Sequence, residues 1–396
     1  MSVTAANGFE AGGVACGIKP SGEPDLALVA TADRRGVSAA GVFTTNLVQA
    51  APVQVSRDHL GDGRAAAVVL NSGNANAATG EQGRRDARRM CELTAESLGC
   101  APEDVLVCST GLIGVPLPVA PIEAGIPALA ATLGPHGDLA AEAILTTDTV
   151  RKEARERVDL ADGTAVTVGG MAKGAAMLAP AMATMLATLT TDAAVDPLAL
   201  HEILVAAVDA SFHELSIDGC TSTNDTVLAL ANGQAGNEPI ELGSLDASRL
   251  EDAIRQVCLS LSLQMAGDAE GATKRVDITV RGARSRDEAR RAARTVAESQ
   301  LVQCSLNGGD PYWGRVLSEL GVSGAGFDPE QVAIAYGDVI VCRDGVRAEH
   351  DATQLDKVMN ERSITVTCDL NAGAEQATMR TTDLSHAYID ENRRTS

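Results

Sequence analysis

Thr184 stands where a chain can cut itself, at the start of a strand-like segment and behind a run of glycine, alanine and proline. The residues that follow, 185–190, alternate in the manner of a strand. In self-cleavage the Thr184 hydroxyl attacks the carbonyl of Ala183, an ester replaces the peptide bond, and water releases a new amino terminus. The new α-amine titrates at about 7.7–8.0, so it can serve as the base for the hydroxyl on its own residue. A threonine that only packs at a strand start is the alternative.

Polar residues at the ends of apolar strands supply further candidates for an acyl-transfer site. In the segment Ser109-Thr-Gly, the hydroxyl of Thr110 and the backbone N–H of Gly111 can face one oxygen, as an oxyanion hole requires. Lys173 lies in an otherwise apolar run, where it can hold a carboxylate, and Glu270 can serve as a pocket carboxylate. A plain turn, a surface lysine and a solvated glutamate are the respective alternatives.

Three more polar segments are candidates for the same site, namely 71–76, Thr146-Thr147-Asp148 and 218–226. The first follows an apolar strand and is rich in asparagine and glycine. The second is also typical of a helix cap or turn, and the third of a turn network bonded to itself.

Composition bounds the class of protein. The 396 residues suffice for two or three domains, and no apolar run has transmembrane length. The amino-terminal residues lack the basic and apolar regions of a secretion signal, so we expect a cytoplasmic protein. The net charge of −21 and the 2% aromatic content argue against a nucleic-acid partner. An anionic small substrate therefore needs a local cation.

Cysteine and histidine spacing argues against a metal site. The nine cysteines are odd in number and no two have C-x-x-C spacing, so we expect reduced thiols. The six histidines form no H-x-x-x-H pair, and a structural zinc or a metal hydrolase is not expected. No G-x-S-x-G elbow or Walker A motif is present either.

Local patterns predict mixed strands and helices, in an α+β or layered α/β architecture. Two helices are expected with capping boxes, Thr79 with Gln82 before helix 84–98 and Ser285 with Glu288 before a helix that runs to about Val302. Asp196 is expected to cap a third helix, 197–210. The other predicted elements are strands at 65–70, 105–108, 276–280 and 364–370, and a hairpin over 332–341 that turns at Gly337-Asp338.

Nine segments, taken in order over essentially the whole chain, resemble the ornithine acetyltransferase family of arginine biosynthesis, also called glutamate N-acetyltransferase. Most of them contain the polar candidates above, and the Ala183-Thr184 pair is the most specific. They are Asn71-Ser-Gly-Asn-Ala-Asn, Ser109-Thr-Gly-Leu-Ile-Gly, Thr146-Thr-Asp, Gly170-Met-Ala-Lys-Gly, Met182-Ala-Thr-Met-Leu, 218–226, Asp268-Ala-Glu-Gly, Asp310-Pro-Tyr-Trp-Gly-Arg and Arg380-Thr-Thr-Asp-Leu-Ser-His-Ala-Tyr.

The resemblance implies an α+β fold, a layered α/β/β/α sandwich that functions like the N-terminal nucleophile hydrolases though it is connected differently. The precursor would cut itself between Ala183 and Thr184. The resulting α chain, 1–183, would contain the oxyanion hole and the substrate lysine. The β chain, 184–396, would contain the nucleophile and a tail that closes the site. The two chains are expected to assemble as an α2β2 heterotetramer.

The implied reaction is a ping-pong acetyl transfer from N2-acetylornithine to glutamate through Thr184. It needs no cofactor and no metal, and some members also take the acetyl group from acetyl-CoA as a co-substrate. The roles carried over are a nucleophile, an oxyanion hole, a residue that positions the substrate amine or relays its proton, and substrate contacts. These fall respectively on Thr184; on Thr110 and Gly111; on Glu270; and on Thr146, Lys173, Thr184, Glu270, Asn392 and Ser396.

Two segments depart from the family pattern. The tail ends Asn392-Arg-Arg-Thr-Ser, whereas the family usually has an aromatic residue near the end and one residue more, so the terminal contact falls on Thr395 or Ser396. Residues 174–177 read Gly-Ala-Ala-Met where Gly-Ser-Gly-Met or Gly-Ala-Gly-Met is more usual. The alternatives are an aminopeptidase or amidohydrolase that passes the acyl group to water, and a non-catalytic binding protein with an intact Ala183-Thr184 bond.

Overall fold

The computed structural model describes residues 2–177 and 185–393, which form two compact units. Of these residues, the first unit holds 2–177, 185–213 and 221–265, and the second holds 214–220 and 266–393. The predicted cleavage pair Ala183-Thr184 and the predicted tail contacts Thr395 and Ser396 lie outside the described residues. The division between the units is not the predicted division into chains, since the first unit contains residues from both sides of position 184.

Two sheets form the centre of the first unit. The first sheet has the order β1-β2-β5-β6, and the second has the order β4-β3-β10-β9-β8-β7. Strands β1 to β10 are Phe9–Val14, Leu26–Thr31, Val37–Phe43, Arg64–Ala65, Ala67–Asn74, Val105–Leu112, Lys152–Asp159, Ala165–Lys173, Leu186–Thr191 and Thr226–Ala231.

Helices cover the outer face of each sheet in the first unit. One apolar cluster joins α1, α2 and α3 to the first sheet, and another lies between the two sheets together with α4. Helices α5 and α6 pack against strands β3 and β8 of the second sheet. Helices α1 to α6 are Ala51–His59, Gly80–Leu98, Val119–Ala130, Gly137–Ala143, Pro197–Asp209 and Leu245–Gly267. This unit is therefore the predicted α/β/β/α sandwich, and the α+β fold class is confirmed.

Strand β9 begins two residues after Thr184 and lies inside the second sheet. It pairs in parallel with β10, where Leu186 faces Thr226, and antiparallel with β8, where Leu186 faces Lys173. All six residues of β9 are buried, although its sequence alternates between apolar residues and threonine. The strand is confirmed, and its threonines are buried because layers cover both faces of this sheet.

The second unit is built on a third sheet, of order β14-β13-β12-β15-β11-β16. One apolar cluster joins this sheet to α7, α8, α9 and α10. Its strands β11 to β16 are Arg275–Ala283, Ala333–Tyr336, Val339–Arg343, Val346–Arg347, Ser363–Asp369 and Glu375–Thr382. Its helices α7 to α11 are Arg286–Ala297, Gln300–Asn307, Trp313–Val322, Ala352–Met359 and His386–Asn392.

Several predicted boundaries are confirmed and two are wrong. Asp196 caps α5, accepting the N–H groups of Leu198 and Ala199, and the hairpin turns between Tyr336 and Val339. Thr79 does not cap α2, because its hydroxyl donates instead to the side chain of Asn76 at 2.8 Å.

The predicted helix to Val302 divides into two. Ser285 caps α7 as expected, but α7 ends at Ala297 and Ser299 caps a separate helix, α8. The Ser299 side chain accepts the backbone N–H of Val302, and this cap starts a new helix inside an otherwise helical sequence pattern. Among the residues described here, no helix is long and apolar enough to cross a membrane.

Candidate functional site

The predicted oxyanion hole lies where β5 and β6 end side by side. These strands are parallel, with Ser72 opposite Thr110 and Gly73 opposite Gly111. Thr110 is buried and Gly111 is exposed. Gly111 has a φ of +133°, and a Cβ added to it would lie 2.3 Å from the carbonyl carbon of Gly73. Only glycine fits this close approach, so the turn depends on Gly111 for its shape.

Two buried asparagines, Asn71 and Asn224, hold the residues next to the Thr110-Gly111 turn. The Ser109 hydroxyl donates to Asn71 Oδ1 at 2.5 Å, and Asn71 Nδ2 donates to the Asn74 carbonyl at 2.9 Å. Asn224 Nδ2 donates to the carbonyls of Ser109 and Ala75 at 2.8 and 2.6 Å. The candidate loops 71–76 and 218–226 thus both supply hydrogen bonds that support the turn. The bonds of Asn224 are made to residues outside its own loop, unlike those of a turn network bonded to itself.

Lys173 and Thr146, two predicted substrate contacts, lie together in the first unit. Lys173 is the last residue of β8, and Thr146 follows α4. Lys173 Nζ donates to Thr146 Oγ1 at 2.7 Å, and the lysine is only 2% exposed. The surface-lysine alternative is therefore wrong. The short hydrogen bond of this buried lysine is therefore to a neutral hydroxyl.

Asp148 links the two ends of this pair. Its Oδ2 lies 3.5 Å from Lys173 Nζ and accepts the N–H of Thr146 at 3.2 Å. Its Oδ1 accepts the N–H of Gly174 at 2.6 Å and a 2.7 Å bond from Lys152 Nζ. Burial would raise the pKa of Asp148, but the charges of Lys173 and Lys152 and these bonds hold it well below its usual range. Asp148 is thus ionised and fixes both segments.

Lys152 was missed as a member of the site. Its side chain is fully buried against the equally buried Asp148, four residues earlier. The four-residue spacing from Asp148 to Lys152 could have predicted this ion pair. The prediction was not made because Lys152 begins a strand of mostly charged residues, which is typical of an exposed strand.

Asp225 belongs to the candidate loop 218–226 but was not singled out there. Its Oδ1 accepts the N–H of Met185, the residue after Thr184, at 2.9 Å. The N–H of Thr226 donates to the Met185 carbonyl at 3.1 Å, so the start of β9 is held from both sides. Burial raises the pKa of Asp225 well above its usual range, although the Met185 bond and the Lys173 charge oppose this.

In the second unit, Glu270 and Asn392 lie together. Asn392 Nδ2 donates to Glu270 Oε2 at 2.6 Å and to the Tyr388 carbonyl at 2.9 Å. Glu270 is buried, so the solvated-glutamate alternative is wrong. Gly271 has a φ of +63°, and a Cβ there would lie 2.2 Å from Tyr388 N, so the glycine lets α11 dock against this turn.

A hydrogen bond within the second unit also fixes α11. Tyr388 donates its hydroxyl to Asp218 Oδ2 at 3.3 Å. Burial, followed by the Asp218 charge, raises the pKa of Tyr388 above its usual range, so the phenol stays protonated. Among residues 2–177 and 185–393, no three histidine, cysteine, aspartate or glutamate side chains are grouped so as to hold a metal ion.

Comparison with known proteins gives long and consistent matches. The ArgJ family matches residues 10–395. The arginine biosynthesis bifunctional protein ArgJ of Symbiobacterium thermophilum is 49% identical over 393 residues, 98% of this chain and 97% of that protein. The protein of the same name from Thermobifida fusca is 48% identical over 394 residues, 99% of each. A crystal structure of the arginine biosynthesis bifunctional protein ArgJ from Bacillus halodurans is 30% identical, with a TM-score of 0.50, over 52% of this chain and 96% of that chain.

Proposed function

Because the chain belongs to the ArgJ family of arginine-biosynthesis acyltransferases, we propose that it transfers acetyl from N2-acetylornithine to glutamate through an ester on Thr184. The observation that carries the proposal is the buried ammonium of Lys173, held against Thr146 in a chain of net charge −21. Donor and acceptor both have a free α-carboxylate. A fixed buried cation can select such a group, because its short hydrogen bond is to the neutral Thr146 hydroxyl, whereas the nearer oxygen of Asp148 lies 3.5 Å away.

The proposed maturation is a cut between Ala183 and Thr184. The Thr184 oxygen attacks the Ala183 carbonyl, the peptide nitrogen leaves as the new α-amine, and water hydrolyses the ester. Strands β8 and β9 precede and follow this position and pair along their lengths. Cleavage therefore leaves the chains 1–183 and 184–396 hydrogen-bonded to one another, which supports a cleaved pair that stays assembled. We propose that two such pairs form the α2β2 heterotetramer.

The first half-reaction acylates Thr184. Its α-amine takes the hydroxyl proton, and the oxygen attacks the acetyl carbonyl of N2-acetylornithine. Thr110 and Gly111 stabilise the oxyanion, and removing one such donor typically costs roughly 10²–10³ in rate. The proton returns to the leaving α-nitrogen as the C–N bond breaks, and Glu270 positions that amine or relays the proton. Ornithine departs.

The second half-reaction reverses these roles. The α-amine of glutamate attacks the acetyl ester, the oxyanion forms again at Thr110 and Gly111, and the proton from the amine goes to the Thr184 oxygen. Asn392 helps place Glu270 for both halves through their hydrogen bond. The tail contact proposed for Ser396 would complete the pocket. No metal or organic cofactor enters these steps.

A second acetyl donor is part of the proposal. The relatives described above have the word bifunctional in their names. We propose that the second activity is acylation of Thr184 by acetyl-CoA, followed by the same transfer to glutamate.

Intact-mass measurement under denaturing conditions tests the mechanism. The protein is pulsed with N2-acetylornithine without glutamate, and we expect two fragments with one acetyl group on the fragment that begins at Thr184. Thr184→Ala should give one uncut, inactive chain. Free acetate in place of N-acetylglutamate, after glutamate is added, would instead indicate an amidohydrolase. An active Thr184→Ala protein would contradict the acyl-threonine mechanism.

A further inference from the structure

Lys19, another lysine of the first unit, lies in a short loop, 16–19, whose backbone is hydrogen-bonded to the buried carboxylate of Asp25. Asp25 accepts the backbone N–H groups of Cys16, Ile18 and Lys19 at 2.7, 2.6 and 2.9 Å, and that of Gly17 at 3.1 Å. Burial would raise the pKa of Asp25, but these donors lower it. Four backbone hydrogen bonds thus hold the loop to one ionised side chain, which is itself fully buried.

The stem of Lys19 lies against the strand end that carries the proposed oxyanion hole. A Cβ at Gly73 would lie 3.1 Å from Lys19 Cγ and 3.3 Å from Ile18 Cγ2. Gly73 is the register partner of Gly111. Lys19 thus packs on the neighbour of a glycine that is proposed to contact the reacting carbonyl.

The ammonium of Lys19 is only partly engaged. Among the residues that the structure describes, its one hydrogen bond is to the Pro24 carbonyl at 2.7 Å, and an ammonium has three donors. Burial lowers the pKa of Lys19, the charges of Glu23 and Asp25 oppose this, and the charges of Lys173 and Asp148 make smaller contributions of opposite sign. Only five lysines occur in the chain, and Lys19, Lys152 and Lys173 all bear on Asp148.

We propose that Lys19 binds the side-chain carboxylate of glutamate while Lys173 binds its α-carboxylate. The inference rests on the proposed function, whose two substrates differ in charge. N2-acetylornithine has one carboxylate and a side-chain ammonium, whereas glutamate has two carboxylates. Two lysines at one site fit the two carboxylates of glutamate. The acetyl donor, N2-acetylornithine, has no side-chain carboxylate for Lys19 to bind. Lys19 is thus a specificity-determining residue for the acceptor.

The test separates the half-reactions in Lys19→Met, which keeps the stem that packs on Gly73. Acylation by N2-acetylornithine alone is followed by intact mass, and loss of the acetyl group is then followed against glutamate concentration. We expect roughly a 10–100-fold rise in the glutamate concentration for half-maximal transfer, as expected for a lost charge-assisted hydrogen bond, and less than about twofold change in acylation. Lys19→Arg should restore most of the affinity.

Glutamine as acceptor gives a readout that a merely structural role would not move. The wild type should prefer glutamate over glutamine, and Lys19→Met should lose most of that preference in kcat/KM. Lys357→Met, which removes an exposed lysine of α10, is the matched charge control and should keep it. Melting temperatures confirm that each variant is folded, and Lys19→Gln replaces Lys19→Met if the latter is not.

Two outcomes would overturn the assignment. An unchanged glutamate-to-glutamine preference in Lys19→Met would mean that Lys19 does not contact the acceptor side chain. An equal loss in both half-reactions would mean that Lys19 serves the shared α-carboxylate or the shape of the turn. Failure of the proposed function itself would look different, because the wild type would then form no acetyl-enzyme.

Discussion

Two groups of predicted site residues are held by very different amounts of structure. Around Lys173, in the first unit, the side chains of Lys173, Lys152 and Asp148 are buried and paired, and the two lysines stand at the ends of strands in a four-layered sandwich. Around Glu270, in the second unit, the partner Asn392 comes from α11, a helix of seven residues with none fully buried. The first group is rigid because its charges cannot separate without exposing a buried ion.

The difference separates two ways of placing a functional side chain. A buried ion cluster resists rearrangement, since any movement costs several kcal/mol of unpaired charge. A short exposed helix has little stability of its own and depends on its few docking bonds, here from Ser385 and Tyr388. We therefore expect the lysine cluster to set the position of a bound carboxylate, and α11 to be the more adjustable part of the second unit.

Removal of the Asp148 carboxylate should have the largest effect on stability. Asp148→Ala takes away the group that Lys152 and Lys173 share, and we expect the free energy of unfolding to fall by about 3–5 kcal/mol. Urea unfolding at neutral pH measures this. A loss below about 1 kcal/mol would mean that the cluster is no more rigid than α11, and the comparison would fail.

Asp148→Asn is the matched control, because it keeps the shape and removes the charge. The folded pKa of Asp148 lies below the unfolded value of about 3.9, so its contribution to stability is present above that pH. It is lost as the pH falls through the lower, folded value. We expect the wild type to lose more stability than Asp148→Asn on the acid side of about pH 4.

Gly111→Ala should have the largest effect on the catalytic rate, although it adds only one methyl group. The added Cβ collides with the Gly73 backbone and must also adopt a positive φ, so the turn has to move. A displaced oxyanion donor typically costs roughly 10²–10³ in kcat, which steady-state kinetics measure.

Gly114→Ala controls for backbone strain. Gly114 also has a positive φ, +80°, but nothing lies within 4 Å of its added Cβ. It should lose about 1–2 kcal/mol of stability and keep its rate. Equal rate losses in the two variants would remove the close approach of Gly111 as the cause.

The parts of this molecule that sequence could predict are those that local chemistry decides. The Asp196 cap and the Gly337 hairpin are confirmed because each depends on a few neighbouring residues. Thr79 was predicted as a cap and is not one, because its hydroxyl is turned toward Asn76, to which it donates, and accepts no N–H of α2. The division at Ser299 was missed because the helical pattern continues across it.

The candidate site divides in the same way. The polar loops were visible from sequence because they end apolar strands, and the pairing of Lys173 with Thr146 brings two of them together. Lys152 was not visible as a site residue, and Asp225 was visible only as part of the loop 218–226, because their importance comes from partners brought near by the sheet. The Met185 bond of Asp225, for example, requires β9 and β10 to be parallel neighbours, which no local pattern predicts.

Asp225→Asn tests whether a strongly perturbed carboxyl belongs to the rigid group. The raised folded pKa means that Asp225 costs stability as the pH rises from about 3.9 through the folded value, by about 1.4 kcal/mol for each unit. Asparagine keeps the acceptor for Met185 N–H and has no charge to bury. We therefore expect the variant to be more stable than the wild type at pH 7, by thermal unfolding, and equal to it near pH 3. Lower stability at pH 7 would show that the charged form is the one the fold requires.

Asn392→Ala should have the smallest effect, and its smallness is the point. The variant loses the 2.6 Å bond to Glu270 but little burial, so stability should fall by only about 1–1.5 kcal/mol. The KM for N2-acetylornithine should rise roughly 3–10-fold, because Glu270 is then free to reorient. Glu270→Gln should reduce kcat far more than Asn392→Ala does. If Asn392→Ala destabilised the protein as much as Asp148→Ala, α11 would be held as firmly as the Lys173 group. The two groups would then differ only in their residue types.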